Sequence, residues 1–153
     1  MSELRRFLRD VSRAQERPFD LLVVAIDGNC QDYSKRRKRI QTVVKQSGYP
    51  GSVVCAVPDP HIERWYLVDP GGFQQALGTD AAPEVPPYKC ERGRYKQVLR
   101  QAVRQTGIVA PLGGLEYGSD IAQFLNLYVV GKADTGFKHF VDELRAVLDQ
   151  QVQ

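Results

Sequence analysis

The sequence predicts an α/β fold, a mostly parallel sheet with flanking helices and a helical segment at the C-terminal end. Three observations lead there. Two short runs of branched apolar residues, FDLLVVAID (19–27) and SVVCAV (52–57), read as strands. Segments of helical periodicity lie before, between and after them. The connection between the runs is long enough for a helical crossover, which favours a parallel pair of right-handed connection.

Each element follows in order. Over residues 2–15, Leu4, Phe7, Leu8 and Val11 repeat at helical spacing, with Ser2 as the expected cap and Pro18 as the stop. Residues 19–27 are almost continuously apolar, which predicts a strand covered on both faces. Residues 34–47 form a second helix, with Ile40, Val43 and Val44 inward and a basic run at its start, ended by Gly48, Pro50 and Gly51. Residues 52–57 are the second buried strand. Short helices are expected over 60–68 and 70–78, with Trp65 and Leu67 in the core.

The stretch TDAAPEVPPYKCERG (79–93) is rich in proline and charge and reads as a loop. A helix over 94–106 places Tyr95, Val98, Leu99 and Ala102 on one side. A short helix over 118–127 is expected to be capped by Ser119. The last helix, 135–150, buries Phe137, Phe140, Val141, Leu144, Val147 and Leu148. The whole is one domain over 1–153, with an α/β core to residue 78 and a loop and helices from 79 onward.

Composition narrows the function classes. Hydrophobic content of 42% and charged content of 25% are ordinary for a water-soluble domain. No apolar run approaches the roughly 20 residues of a membrane span, and MSELRRFLRD lacks the apolar core of a signal peptide. The expected location is the cytoplasm, with no membrane partner. Cys30, Cys55 and Cys90 are odd in number and make no CxxC pair, so neither a disulfide framework nor a structural zinc site is expected. Cys55 lies inside a strand as a small core residue.

Acids stand at both strand ends. In parallel sheets ligands bind at the carboxyl ends of strands, where Asp27 and Asp59 lie. Hard cations such as Mg²⁺ take oxygen ligands, usually from one or two protein carboxylates. Glu63 follows Asp59 by about one helical turn and could face the same point. The alternative is structural: Asp27-Gly28-Asn29 as a turn, and Asp59 as a helix cap with Pro60 at the first helical position. Glu63 next to Trp65 and Leu67 must be paired or functional. A zinc site is not expected, because His61 has only the distant His139 as a second histidine.

Bases are concentrated in two places. Lys35, Arg36, Arg37, Lys38 and Arg39 are consecutive. Lys89, Arg92, Arg94, Lys96, Arg100 and Arg104 form a second group. Either these are solvated faces or they contact the phosphates of DNA or RNA. No P-loop, GxSxG elbow or Cys–His nucleophile pattern is present.

The order of pieces, VVAID followed by DGN, the basic helix, VPDPHIERWYLVD, YKQVLRQ, GSDIAQFLNL and the closing FKHFVDELRAVL, resembles a small prokaryotic TOPRIM-like family of the primase–topoisomerase fold. Its defence-associated relatives include the overcoming-lysogenisation-defect nucleases. The resemblance covers most of 19–148. It implies a Mg²⁺-dependent nuclease site in which Asp27 stands at the first aspartate of a D-x-D motif, Asn29 at the second, and Glu63 at the glutamate of an IE-x-W segment. Asp27 and Glu63 are then the catalytic candidates, and Asp27, Asn29, Asp59 and Glu63 the metal candidates. The family's first strand, with its glutamate, would precede the helix 2–15, and neither Glu3 nor Glu16 matches it. A shortened chain, a fragment, or a site completed by another chain is therefore expected. The resemblance also implies an ATPase partner, which makes a non-catalytic regulatory subunit the alternative; a homo-oligomer is left open.

Overall fold

The structure, a computed structural model, describes residues 1–13, 19–91 and 93–151. The expectations at Glu16, Pro18 and Arg92 lie outside these residues. Helix α1 (Ser2–Arg13) leads to strand β1 (Leu21–Ala25), then helix α2 (Tyr33–Ser47) and strand β2 (Ser52–Ala56). The strands pair in parallel, Leu21 against Ser52 through Ala25 against Ala56, with α2 as the crossover. Ser2 is the first residue of α1 and not its cap. Helix α2 is capped at its start by Asp32, which accepts from the Lys35 N–H, and closed by Gly48 in the left-handed conformation.

The sheet is smaller than its apolar runs suggest. One face, bearing Leu22, Val24, Val53 and Cys55, packs under α1 and α2 with Leu8, Ile40, Val43 and Val44. On the other face, Ala56 is covered by the helix α8 (Thr135–Gln151) through Phe137. That cover does not reach across β1: Val23 is 45% exposed and Ala25 is open. The expectation of a strand covered on both faces therefore holds for β2, whose Val54 and Cys55 are buried, and fails for β1. Among the described residues β1 has a strand on one side only.

The helical part builds two more clusters. Helices α3 (Ile62–Leu67), α4 (Pro70–Leu77), α5 (Arg94–Gln105) and α6 (Gly118–Phe124) bury Leu67, Phe73, Tyr95, Leu99, Ala102, Val103 and Ile121 together. Helix α7 (Leu127–Ala133) and α8 enclose Trp65 with Val130 and Phe137. Trp65 meets Phe137 edge to face at 4.9 Å.

Four local expectations are corrected. Asp59-Pro60 is a cis peptide and not a helix start; α3 begins at Ile62, with His61 as its cap residue. Ser119 is not a cap. A 3₁₀ turn (Leu115–Tyr117) runs directly into α6 at Gly118, where a Cβ would stand 3.0 Å from the Tyr66 hydroxyl. The stretch 118–127 also breaks at Leu125, and Asn126 caps α7 by accepting from the Tyr128 and Val129 N–H groups. The buried Asp69 fixes that break by accepting from the Asn126 N–H at 2.7 Å. On α8, Phe137 is buried, Phe140, Val141, Leu144 and Val147 are half-buried, and Leu148 is exposed. The cluster under α8 takes in Phe137, Phe140 and Val141, at its N-terminal half, so the end of its apolar stripe is left open.

Candidate functional site

The two strand ends are joined loop to loop. Beyond the ladder, Ile26 N–H donates to the Ala56 carbonyl, Gly28 N–H to Pro58 at 2.7 Å, and Asn29 N–H to Pro60 at 3.0 Å. A Cβ on Gly28 would stand 3.0 Å from the Pro58 oxygen, tighter than most real Cβ contacts, so a side chain here would require the 58–59 loop to shift by a few tenths of an ångström. Asn29 and Cys30 then turn the chain with φ of 49° and 63°, a conformation uncommon for a residue with a side chain.

The loops bring Asp27 and Asp59 to the same edge of the sheet, and each carboxylate has partners within the chain. Asp27 faces His61 Nδ1 at 3.3 Å through one oxygen and accepts from the Ile62 N–H through the other. Asp59 accepts from the Cys30 N–H at 2.9 Å and from the Tyr88 hydroxyl at 2.6 Å. That bond to Asp59 is the main reason the Tyr88 hydroxyl titrates high, pushed up to about 12. The Arg64 guanidinium lies over the Tyr88 ring at 5.3 Å and pairs with the buried Asp134. Asn29 donates its amide to the Asp27 carbonyl.

Glu63 points elsewhere. It is 1% exposed, and its nearest cation is Lys96 of α5 at 3.8 Å. Its second oxygen has no hydrogen-bond partner, nor has the neighbouring Trp65 indole N–H. Burial, helped by the Glu63 charge, raises the Tyr66 hydroxyl above its usual range. Among the described residues no three His, Cys, Asp or Glu side chains are grouped to hold a metal ion. All four oxygens of Asp27 and Asp59 face protein groups, and Glu63 faces α5 rather than the two aspartates.

Cys30 and Cys90 form a disulfide, with Cα atoms 5.7 Å apart. The cysteine count and spacing led to no disulfide framework being expected, and this single bond corrects that expectation. It straps the 79–93 loop onto the Asp27 turn beside the Tyr88–Asp59 bond. Sixty residues separate the two cysteines, and only the fold brings them together. Disulfides belong mainly to oxidising compartments, so this bond and the cytoplasmic expectation pull in opposite directions. Cys55 is buried and free, and burial raises its thiol to about 11.

The basic run divides. Arg36 donates to the Gly28 carbonyl at 3.0 Å, and Arg37 pairs with Glu143 of α8 at 2.5 Å. Lys35, Lys38 and Arg39 are exposed, and no acid pairs with them among the described residues. On α5, Lys96 is held toward Glu63, and Arg100 lies along Gly113. Arg100 and Arg104 share a shallow hollow with Gln97, Gln101 and Gln105.

His61 is the residue that the sequence reading set aside and the fold brings into the site. The available signal was an acid ending one parallel strand and a histidine shortly after the next, which adjacent strand ends bring face to face. Comparison with protein-family models, curated proteins and solved structures finds no match to this chain.

Proposed function

We propose that the chain is a nucleic-acid-binding, TOPRIM-like component of a prokaryotic defence or DNA-processing system, and that it binds without cleaving. The observation that carries this reading is the division of the basic run. Exposed lysines and arginines with no acidic partner remain available to phosphates, and such contacts are strong, salt-dependent and independent of sequence. Lys35, Lys38 and Arg39 are the principal contacts, and Arg100 and Arg104 of α5 a weaker second set. Lys96 is the least available of the named bases, since Glu63 holds it.

The engaged state of Asp27 and Asp59 favours binding alone over Mg²⁺-dependent hydrolysis. It fits the regulatory-subunit alternative, in which an ATPase partner would supply the chemistry. Fluorescence anisotropy with labelled DNA and RNA at low salt tests the binding; failure to bind either overturns the proposal. Incubation with Mg²⁺ or Mn²⁺ is expected to leave both intact. Cleavage that disappears in Asp27→Ala would overturn the non-catalytic half and restore the strand ends as an active site.

A further inference from the structure

We infer that the groove between α1 and α2 is the track for the sugar–phosphate backbone, and that Arg5 and Arg9 of α1 form its second wall. The inference rests on the nucleic-acid reading above and adds residues outside the basic run. Two hollows of about 460 and 370 Å³ lie along this helix pair and share Arg5, Val43 and Gln46, so they form one groove. Lys35, Lys38 and Arg39 line one side, and Arg5 and Arg9 the other. Among the described residues no acid lines either hollow.

Helical geometry explains the two walls. Arg5 and Arg9 are four residues apart, so they stand on one face of α1, next to the face that buries Leu8. Lys35, Lys38, Arg39 and Gln46 recur along one side of α2, with Val43 as the buried floor. Both arginines are exposed, and no acid pairs with either among the described residues. From Lys35 to Gln46 the helix rises about 16 Å at 1.5 Å per residue. One strand of a duplex passes about five phosphates in that length.

The ligand class follows from what the groove lacks. Among the described residues no aromatic ring lines it, so these walls offer bases nothing to stack on, and stacking is what single-strand binders use. The groove therefore reads the charge of a duplex backbone and not its sequence.

The test is the salt dependence of binding to a mixed-sequence DNA duplex, measured by anisotropy. Five phosphate contacts give a slope of log K against log salt of about −4.5. Arg5→Ala with Arg9→Ala should bring it to about −2.7 and weaken binding about 60-fold near 0.1 M salt. Arg5→Lys with Arg9→Lys should keep the wild-type slope. Circular dichroism confirms that each variant is folded, which exposed positions allow. If wild type does not bind duplex, this inference falls, and the proposed function falls with it only if single-stranded DNA and RNA are not bound either. If it binds and the alanine pair leaves the slope unchanged, the α1 wall is wrong and the proposed function stands. Retention by anionic lipid vesicles, with no retention of duplex, would overturn the nucleic-acid assignment of the groove.

Discussion

Helix α2 leaves Lys35, Lys38 and Arg39 on an open groove wall, whereas α5 holds Lys96 against the buried Glu63 and lays Arg100 along Gly113. The two helices are similar in composition. What separates them is the set of neighbours that the fold supplies. α2 packs one face on α1, whose own basic residues border the same groove. α5 packs on α3, which brings a buried carboxylate. A count of bases cannot distinguish a base that meets solvent from one that offsets a buried charge.

The sharpest probe of this contrast is charge removal on each helix. Replacing Lys35, Lys38 and Arg39 by alanine should lower duplex affinity by two to three powers of ten near 0.1 M salt, on the order of 0.9 in log K per lost contact. The Arg100→Ala, Arg104→Ala pair should change it by less than about tenfold. Equal losses from the two helices would break the comparison.

Stability should respond in the opposite sense. Arg37→Ala removes the partner of Glu143, whose second oxygen is already buried without one. Both side chains are partly exposed, so the cost is about 1 kcal/mol and not the larger cost of a fully buried pair. Thermal unfolding measures it, and affinity for duplex should hardly move. Lys96→Ala should cost somewhat less, about 0.5–1 kcal/mol, because the lysine is 57% exposed while Glu63 is not. Lys38→Ala, the matching change on α2, should stay within about 0.5 kcal/mol of wild type. A Lys38 variant that destabilises as much as the Lys96 variant would place the two helices in one class.

The smallest effect concerns the strap at the strand ends. The Tyr88 hydroxyl donates to Asp59, and its pKa rises from 10.0 to about 12. A group raised on folding contributes stability that is complete below its unfolded pKa and is lost as pH climbs through the folded one. Wild type should therefore lose a small part of its stability between pH 10 and 12, and Tyr88→Phe should lack that part. Tyr33, raised to about 12 mainly by burial, titrates in the same window, so Tyr33→Phe is the control. Identical alkaline melting curves for wild type and Tyr88→Phe would show that the Asp59 bond contributes nothing.

Much of the architecture was legible in the sequence. Periodicity located α2, α5 and α8 and put Tyr95, Leu99 and Phe137 inside, because each helix shows its own apolar stripe. The apolar runs located both strands. They could not show that β1 keeps one face open, since covering a face depends on how far α8 reaches. The break before α7 depends on Asp69, far away in sequence. At the site, the sequence placed Asp27 and Asp59 at one sheet edge. It did not reveal His61 opposite Asp27, the Tyr88 bond, or the inward turn of Glu63, all of which are long-range contacts.

The Cys30–Cys90 bond turns the chain between them into a closed ring that holds α2, β2, α3 and α4. A protease that cuts the proline-rich stretch before Cys90, where Pro87, Tyr88 and Lys89 are exposed, opens that ring without releasing a fragment. Digested protein should run as one full-length band on a non-reducing gel and as two pieces once a thiol is added. A cut beyond Cys90, in the helical part, should give two pieces under both conditions. The strap thus decides which nicks this molecule survives in one piece, and the gel shows directly whether the bond is formed in the purified protein.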